Sequence, residues 1–276
     1  MTYSSFLESL LEDAVKMAMS FPRRTPSRIK DGDANQVLTP ADTAIGDQIR
    51  RRIRERFPHD SVIDEESGPV RGTSSITWII DPIDGTSNFA VGSPLFGVMV
   101  GVLRNGTPVA GGVALPALSE TYVAEIGQGA YRNGNRLDIR ADSDVSQQLI
   151  AYGIDIYPSE IEFDCGILAK IASRCRGIRM SNSVFDCMMV ASGAYGGFMH
   201  RHNRIWDCVA PQVIIEEAGG VFSTFDGHTL DYTNPLTKTA DVFSILTSGP
   251  GCHESLVSII REHYPSNTVC RDGRES

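Results

Sequence analysis

The sequence predicts a mixed α and β fold, with an antiparallel meander sheet in the N-terminal half and an α/β arrangement in the C-terminal half. Three observations predict it. Two Asn-Gly pairs, Asn105-Gly106 and Asn133-Gly134, each sit between apolar runs, the signature of tight hairpins. Farther on, short apolar segments at 149–154 and 221–222 alternate with helical patterns at 160–173 and 184–192. The 276 residues are 41% hydrophobic and 21% charged, which suits a sizeable core and argues against disorder, a fibrous repeat or a small disulfide scaffold. At roughly 150 residues per domain the length fits one large domain or two tightly joined ones. The charged, serine-bearing stretch 140–148 is the best boundary, dividing an N-terminal half, 1–142, from a C-terminal half, 143–276.

In chain order, residues 1–21 carry an apolar stripe interrupted by Glu8, Glu12 and Asp13 and lack a basic leader, so they predict an amphipathic helix rather than a signal peptide. Residues 21–36 are polar, with prolines and arginines and neither helical nor strand period, and predict a loop. Thr39-Pro40 then supplies an N-cap and a first-turn proline. Ile45, Ile49, Ile53 and Phe57 follow every four residues, while arginines 50, 51, 52, 54 and 56 form the exposed face of this second helix. ITWII predicts a strand ending at Asp81, and the segments around the two Asn-Gly pairs continue the meander. A helix over 207–218 stops at Gly219-Gly220.

Several classes of function are disfavoured at this stage. Twenty-five Lys and Arg against 34 Asp and Glu give a net charge of −9, which attracts nucleic acid poorly. Nowhere do about 18 apolar residues follow one another, so no membrane helix is expected. The six cysteines form no CxxC pair or zinc-like spacing, consistent with buried or incidental thiols in a reducing compartment, and the expected location is the cytoplasm.

The chemistry gathers in Trp78-Ile79-Ile80-Asp81-Pro82-Ile83-Asp84-Gly85-Thr86. A strand delivers Asp81 to its end, Pro82 and Gly85 shape a turn, and Asp84, Thr86 and the Ile83 carbonyl share one small volume. These are hard oxygen donors, a set that favours magnesium or manganese over zinc or copper. Free N–H groups at the start of a following helix would suit a phosphate oxygen. Taken alone, the run also fits a capped polar turn. Two further acidic features accompany it, Asp64-Glu65-Glu66-Ser67 upstream and Trp206-Asp207 at the start of the late helix.

DEES at 64–67, WIIDPIDGTSNF at 78–89 and WDCVAPQVIIEEAGG at 206–220 resemble, in order and spacing, the three signatures of the inositol monophosphatase family of magnesium-dependent, lithium-sensitive phosphatases. VLTPADTAIGDQI at 37–49 and GQGAYRNGNRL at 127–137 extend the resemblance over nearly the whole chain. It implies a layered αβαβα sandwich of the sugar-phosphatase type and a homodimer. It also implies two or three Mg2+ ions per subunit, with Mn2+ as a substitute. Glu65, Asp81, the Ile83 carbonyl and Thr86 would hold the first ion, and Asp81, Asp84 and Asp207 the second. A third, weaker ion would be shared by Glu65 and Asp81 through water. Asp42 and Thr86 would take a proton from the attacking water, Gly85 and Thr86 amides would bind the phosphate, and Glu66 would support Glu65.

The resemblance implies a small phosphorylated metabolite as substrate, inositol 1-phosphate by default. Histidinol phosphate, fructose 1,6-bisphosphate and 3′-phosphoadenosine 5′-phosphate are alternatives, and a regulatory binding role is the non-enzymatic one. This chain departs from the pattern where substrate is selected. His200 stands where inositol-processing members usually carry a glutamate, Asp64 where many have glycine, and Ser181-Asn182-Ser183 replaces a smaller run. Ser181, Asn182, His200 and Arg204 are the expected pocket residues, with Arg201 and Arg204 available to a second anionic group if they face inward.

Overall fold

The structure is a computed structural model and describes residues 2–30, 33–139 and 144–263. Cys270 and residues 140–143 of the expected boundary lie outside the described residues. Helix α1 (Tyr3–Ser20) is capped by Thr2, and the spacing of Phe6, Leu7, Leu10, Leu11, Ala14 and Ala18 buries one face. The expected loop after it is corrected: strands β1 (Arg28–Lys30) and β2 (Asp33–Leu38) pair as an antiparallel hairpin. Arg28 and Ile29 are exposed, so no buried face imposed the alternation by which a strand is recognised.

Helix α2 (Pro40–Arg56) starts in a capping box in which Thr39 N–H and Oγ1 both donate to Asp42 Oδ2, at 2.8 and 2.5 Å. Its isoleucines are buried, and two of its five arginines pair with acids: Arg50 with Asp47 and Arg52 with Asp13. Strands β3 (Ser61–Asp64), β4 (Gly68–Val70) and β5 (Ile76–Asp84) come next, then the short helix α3 (Thr86–Val91). The meander runs through β6 (Gly97–Arg104), β7 (Thr107–Leu115), β8 (Glu120–Glu125), β9 (Gly129–Arg132) and β10 (Asn135–Arg136). These strands form one sheet ordered β10-β9-β8-β7-β6-β5-β3-β4, antiparallel except for β3 with β5. Both Asn-Gly pairs turn with positive φ at each residue, 51° and 80° at Asn105-Gly106, 49° and 76° at Asn133-Gly134.

The C-terminal half contains β11 (Leu149–Tyr152), α4 (Ile161–Ala172), β12 (Gly177–Arg179), α5 (Val184–Ala191) and β13 (Gly197–Asn203). Helix α6 (Ile205–Glu217), β14 (Val221–Ser223), β15 (Phe243–Ser248) and α7 (Pro250–Arg261) complete it. Its sheet is mixed, ordered β12-β11-β13-β15-β14. The layers stack as an αβαβα sandwich: α1 and α2, the large sheet, α5 and α6, the small sheet, then α4 and α7. The middle core joins both halves, with Ile79, Met99 and Val113 against Val209, Val213 and Phe222.

Strand parity decides which way the chemistry points. Trp78 and Ile80 pack toward α1 and α2, whereas Ile79 faces α6. Asp81, two residues on from Ile79, shares its face and so meets the start of α6. Gly101 and Gly111 let α6 lie close to the sheet, since a Cβ there would sit 2.6 Å from Val209 and 2.5 Å from the Ala210 carbonyl.

Candidate active site

Asp81, Asp84 and Asp207 converge at one end of the middle layer, each offering a carboxylate oxygen within 4.8 Å of the other two. Asp81 comes from β5 and Asp84 from its bulged end; Asp207 lies in the first turn of α6, where it also accepts the Arg204 N–H at 2.6 Å. Gly85 follows Asp84 with φ 73°, and a Cβ there would lie 2.9 Å from Ser183, so both conformation and space require glycine. Thr86 Oγ1 lies 2.8 Å from the Ile83 carbonyl and 3.2 Å from Asp42 Oδ1, and donates to one at a time.

Glu65 lines the same cleft, but a residue that the sequence reading missed holds it. Lys30, on β1, places Nζ 2.7 Å from Glu65 and 2.7 Å from Glu66. Glu66 thus stands beside Glu65, on the same ammonium. Asp64 shapes this turn: its buried Oδ1 accepts the N–H groups of Glu66 and Ser67, each at 2.9 Å.

Burial, reinforced by the neighbouring carboxylates, holds Asp81 and Asp84 well above the usual aspartate range. Burial likewise pushes Glu65 to about 7, against the opposing charge of Lys30, and Asp207 to about 6. Asp81 Oδ1 is buried without a hydrogen-bond partner among the described residues. An orphaned oxygen among crowded hard donors fits a divalent cation such as magnesium.

The cleft above these groups has a volume of about 360 Å3. Ser181, Asn182, His200 and His202 line it; Arg204 does not. Arg204 is corrected as a pocket residue: it occupies the N-cap of α6, and its exposed guanidinium donates to the carbonyls of Ala240 and Asp241. Arg201 is corrected as well. His200 and His202 line the cleft, whereas Arg201 does not and is held by Glu160 and Asp164, at 2.9 and 3.4 Å.

A layered sandwich with a cleft at the strand ends, floored by carboxylates that could hold a divalent cation, defines the class of site. The inositol monophosphatase family model matches residues 5–264, and the chain belongs to this family, whose members are phosphatases that hydrolyse phosphomonoesters. An inositol-1-monophosphatase of Mycolicibacterium smegmatis is 30% identical, covering 90% of this chain and 88% of that one. The fructose-1,6-bisphosphatase/inositol-1-monophosphatase of Aquifex aeolicus is 31% identical, over 74% and 78%. The Nus factor SuhB of Escherichia coli is 34% identical, over 70% and 74%. Among solved structures, the Thermotoga maritima IMPase superposes with a TM-score of 0.84 at 27% identity, over 95% of this chain and 98% of that one.

Proposed function

We propose that this phosphatase is magnesium-dependent and hydrolyses a small polyol monophosphate, with inositol 1-phosphate as the default substrate. The observation that carries the reading is the convergence of Asp81, Asp84 and Asp207, with Glu65 beside them, at the foot of a cleft whose other lining includes Ser181, Asn182 and the Asp155–His200 pair. Asp81, Asp84 and Asp207 would hold one ion, and Glu65, Asp81, the Ile83 carbonyl and Thr86 another. Such ions would supply a nucleophilic hydroxide near neutral pH and neutralise charge on the phosphate and the leaving oxygen.

The residues do the rest. Thr86 Oγ1 orients the attacking water and passes its proton toward Asp42, whose Oδ1 faces it at 3.2 Å. Gly85 and Thr86 amides position the phosphate. Lys30 is a cation beside Glu65 that must yield as metal enters, or remain and share the charge of the phosphate. Monoester hydrolysis is among the slowest uncatalysed reactions, so this positioning and charge stabilisation carry most of the acceleration.

The absence of an inward-facing Arg201 or Arg204 favours monophosphates over fructose 1,6-bisphosphate and 3′-phosphoadenosine 5′-phosphate. Histidinol phosphate remains the competing monophosphate. We further propose a homodimer, as in the family the sequence resembles, and a cytoplasmic location, consistent with Cys165, Cys175, Cys187 and Cys208 as free thiols. Among the described residues no helix is long and apolar enough to cross a membrane. The identity to the E. coli Nus factor also motivates a test for a non-enzymatic partner, by pull-down with an inactive variant. Phosphate release from the four candidate substrates, with magnesium, with EDTA and with magnesium plus lithium, tests the main reading. Release that survives EDTA, or release from none of the four, would refute it.

A further inference from the structure

The wall of the cleft facing the aspartates is built on Ile154, Asp155 and Ile156, between β11 and α4. Two asparagine amides clamp this segment. Asn182 accepts the Ile154 N–H at 3.2 Å and donates to the Ile154 carbonyl at 2.7 Å. Asn35, on β2, accepts the Ile156 N–H at 3.0 Å and donates to the Ile156 carbonyl at 3.4 Å. Each amide therefore pairs with the main chain as a neighbouring strand would, one on either side of Asp155.

Asp155 Oδ2 lies 3.1 Å from His200 Nε2 and 3.9 Å from His202 Nδ1. Its Oδ1 has no hydrogen bond among the described residues, and Asp155 lines the cleft. His200 is seated with equal care. Asn203 Nδ2 donates to the carbonyls of His200 and Phe243, at 2.9 and 3.1 Å, so its Oδ1, 3.0 Å from His200 Nδ1, can only accept. Nδ1 then carries a proton, and Nε2 needs a second to bond the Asp155 carboxylate. Gly153 leaves the ring room, because a Cβ there would sit 2.8 Å from His200 Cγ and Cδ2. Burial opposes the charged imidazole, yet Asp155 keeps His200 above its ordinary value.

We propose that Asp155 is a specificity-determining residue: its free Oδ1 accepts a hydrogen bond from a hydroxyl of the leaving alcohol, and the two asparagines hold it there. The inference rests on the phosphatase reading above and deepens it. The paired imidazole compensates the carboxylate, so the wall has no excess negative charge to draw an ammonium group. A second phosphate would meet the Asp155 oxygen with no arginine turned toward it. The alcohols that fit are neutral and hydroxylated.

The test compares kcat/KM for inositol 1-phosphate with that for cyclohexyl phosphate, which keeps the ring and lacks the hydroxyls. The wild type, Asp155→Ala and Asn182→Ala are measured after circular dichroism shows each folded. In Asp155→Ala the ratio of the two constants should fall by about 10- to 100-fold, the loss of a hydrogen bond to a charged acceptor, chiefly through a higher KM for inositol 1-phosphate. In Asn182→Ala, which removes one clamp and spares the carboxylate, the ratio should fall about threefold, on the scale of one neutral hydrogen bond. An unchanged ratio in both variants, or an equal loss with both esters, would overturn the role of Asp155. A wild type that hydrolyses inositol 1-phosphate no better than cyclohexyl phosphate would also overturn it, while leaving the phosphatase reading intact. A wild type that hydrolyses no monoester would overturn both.

Discussion

The floor and the wall of the cleft use carboxylates in opposite ways. On the floor, Asp81 and Asp84 are buried together and hold protons far more tightly than ordinary aspartates. On the wall, Asp155 is buried too, which works against its charge, but the hydrogen bond and charge of His200 hold it below the usual range. The floor thus gathers acids that raise one another's hold on protons, whereas the acid of the wall is neutralised from within. On the reading proposed above, the floor is left electrostatically unsatisfied for a metal, and the wall is satisfied in advance for a neutral alcohol.

The strongest way to break this contrast is Asp81→Asn. Turnover should fall by about a thousandfold or more, the scale of losing a preorganised electrostatic group. The metal-free protein should meanwhile melt higher than the wild type in EDTA, because an amide sits buried beside the other carboxylates without having to take up a proton. Turnover within tenfold of the wild type would remove Asp81 from the mechanism.

Next in size is Lys30→Met, which strips the floor of its nearby cation. With chelator present, the variant should lose about 2 kcal/mol of unfolding free energy, a partly exposed version of a broken buried ion pair. Added magnesium should recover more stability than it gives the wild type. Urea titrations with and without magnesium measure both quantities, and equal stabilities in EDTA would show that Lys30 does not offset Glu65 and Glu66.

Asp186 sharpens the contrast from beneath the wall, where its Oδ2 accepts the Ser181 N–H and hydroxyl at 3.1 and 2.7 Å. Burial raises it to about 6. A carboxylate raised on folding favours the folded state when protonated, so it costs stability as pH rises from its unfolded value, about 4, to 6. Asp186→Asn should flatten the stability profile across that window by about 1–3 kcal/mol. A profile as steep as that of the wild type would assign the slope elsewhere. The smallest effect is expected for Arg204→Gln: since the guanidinium leaves the cleft, kcat/KM should change by less than about twofold, the scale of an exposed polar substitution. A larger loss would return Arg204 to the wall.

Legibility in the sequence follows the same division. The floor is carried by short continuous runs, so Asp81, Asp84 and Thr86 could be read from one strand-turn-helix passage. Each Asn-Gly hairpin, and α2 from Thr39-Pro40, was equally local, being fixed by backbone conformation and capping. The wall is joined by contacts that span the chain, such as Asn35 to Ile156, and no spacing rule announces them. Lys30 was hidden for a related reason, since the hairpin that delivers it to Glu65 buries too little surface to leave a period. Arg201 and Arg204 looked like pocket residues from their neighbours, and only the acids Glu160 and Asp164 and the N-cap of α6 turned them away.

The capping box of α2 carries one more consequence. Asp42 closes the first turn of that helix with Oδ2 and faces Thr86 with Oδ1, so a single side chain answers to both. A helix begun one residue early or late would carry Asp42 away from the threonine and leave its hydroxyl only the Ile83 carbonyl of its own turn. The start of one helix thus sets the surroundings of a side chain 44 residues further on.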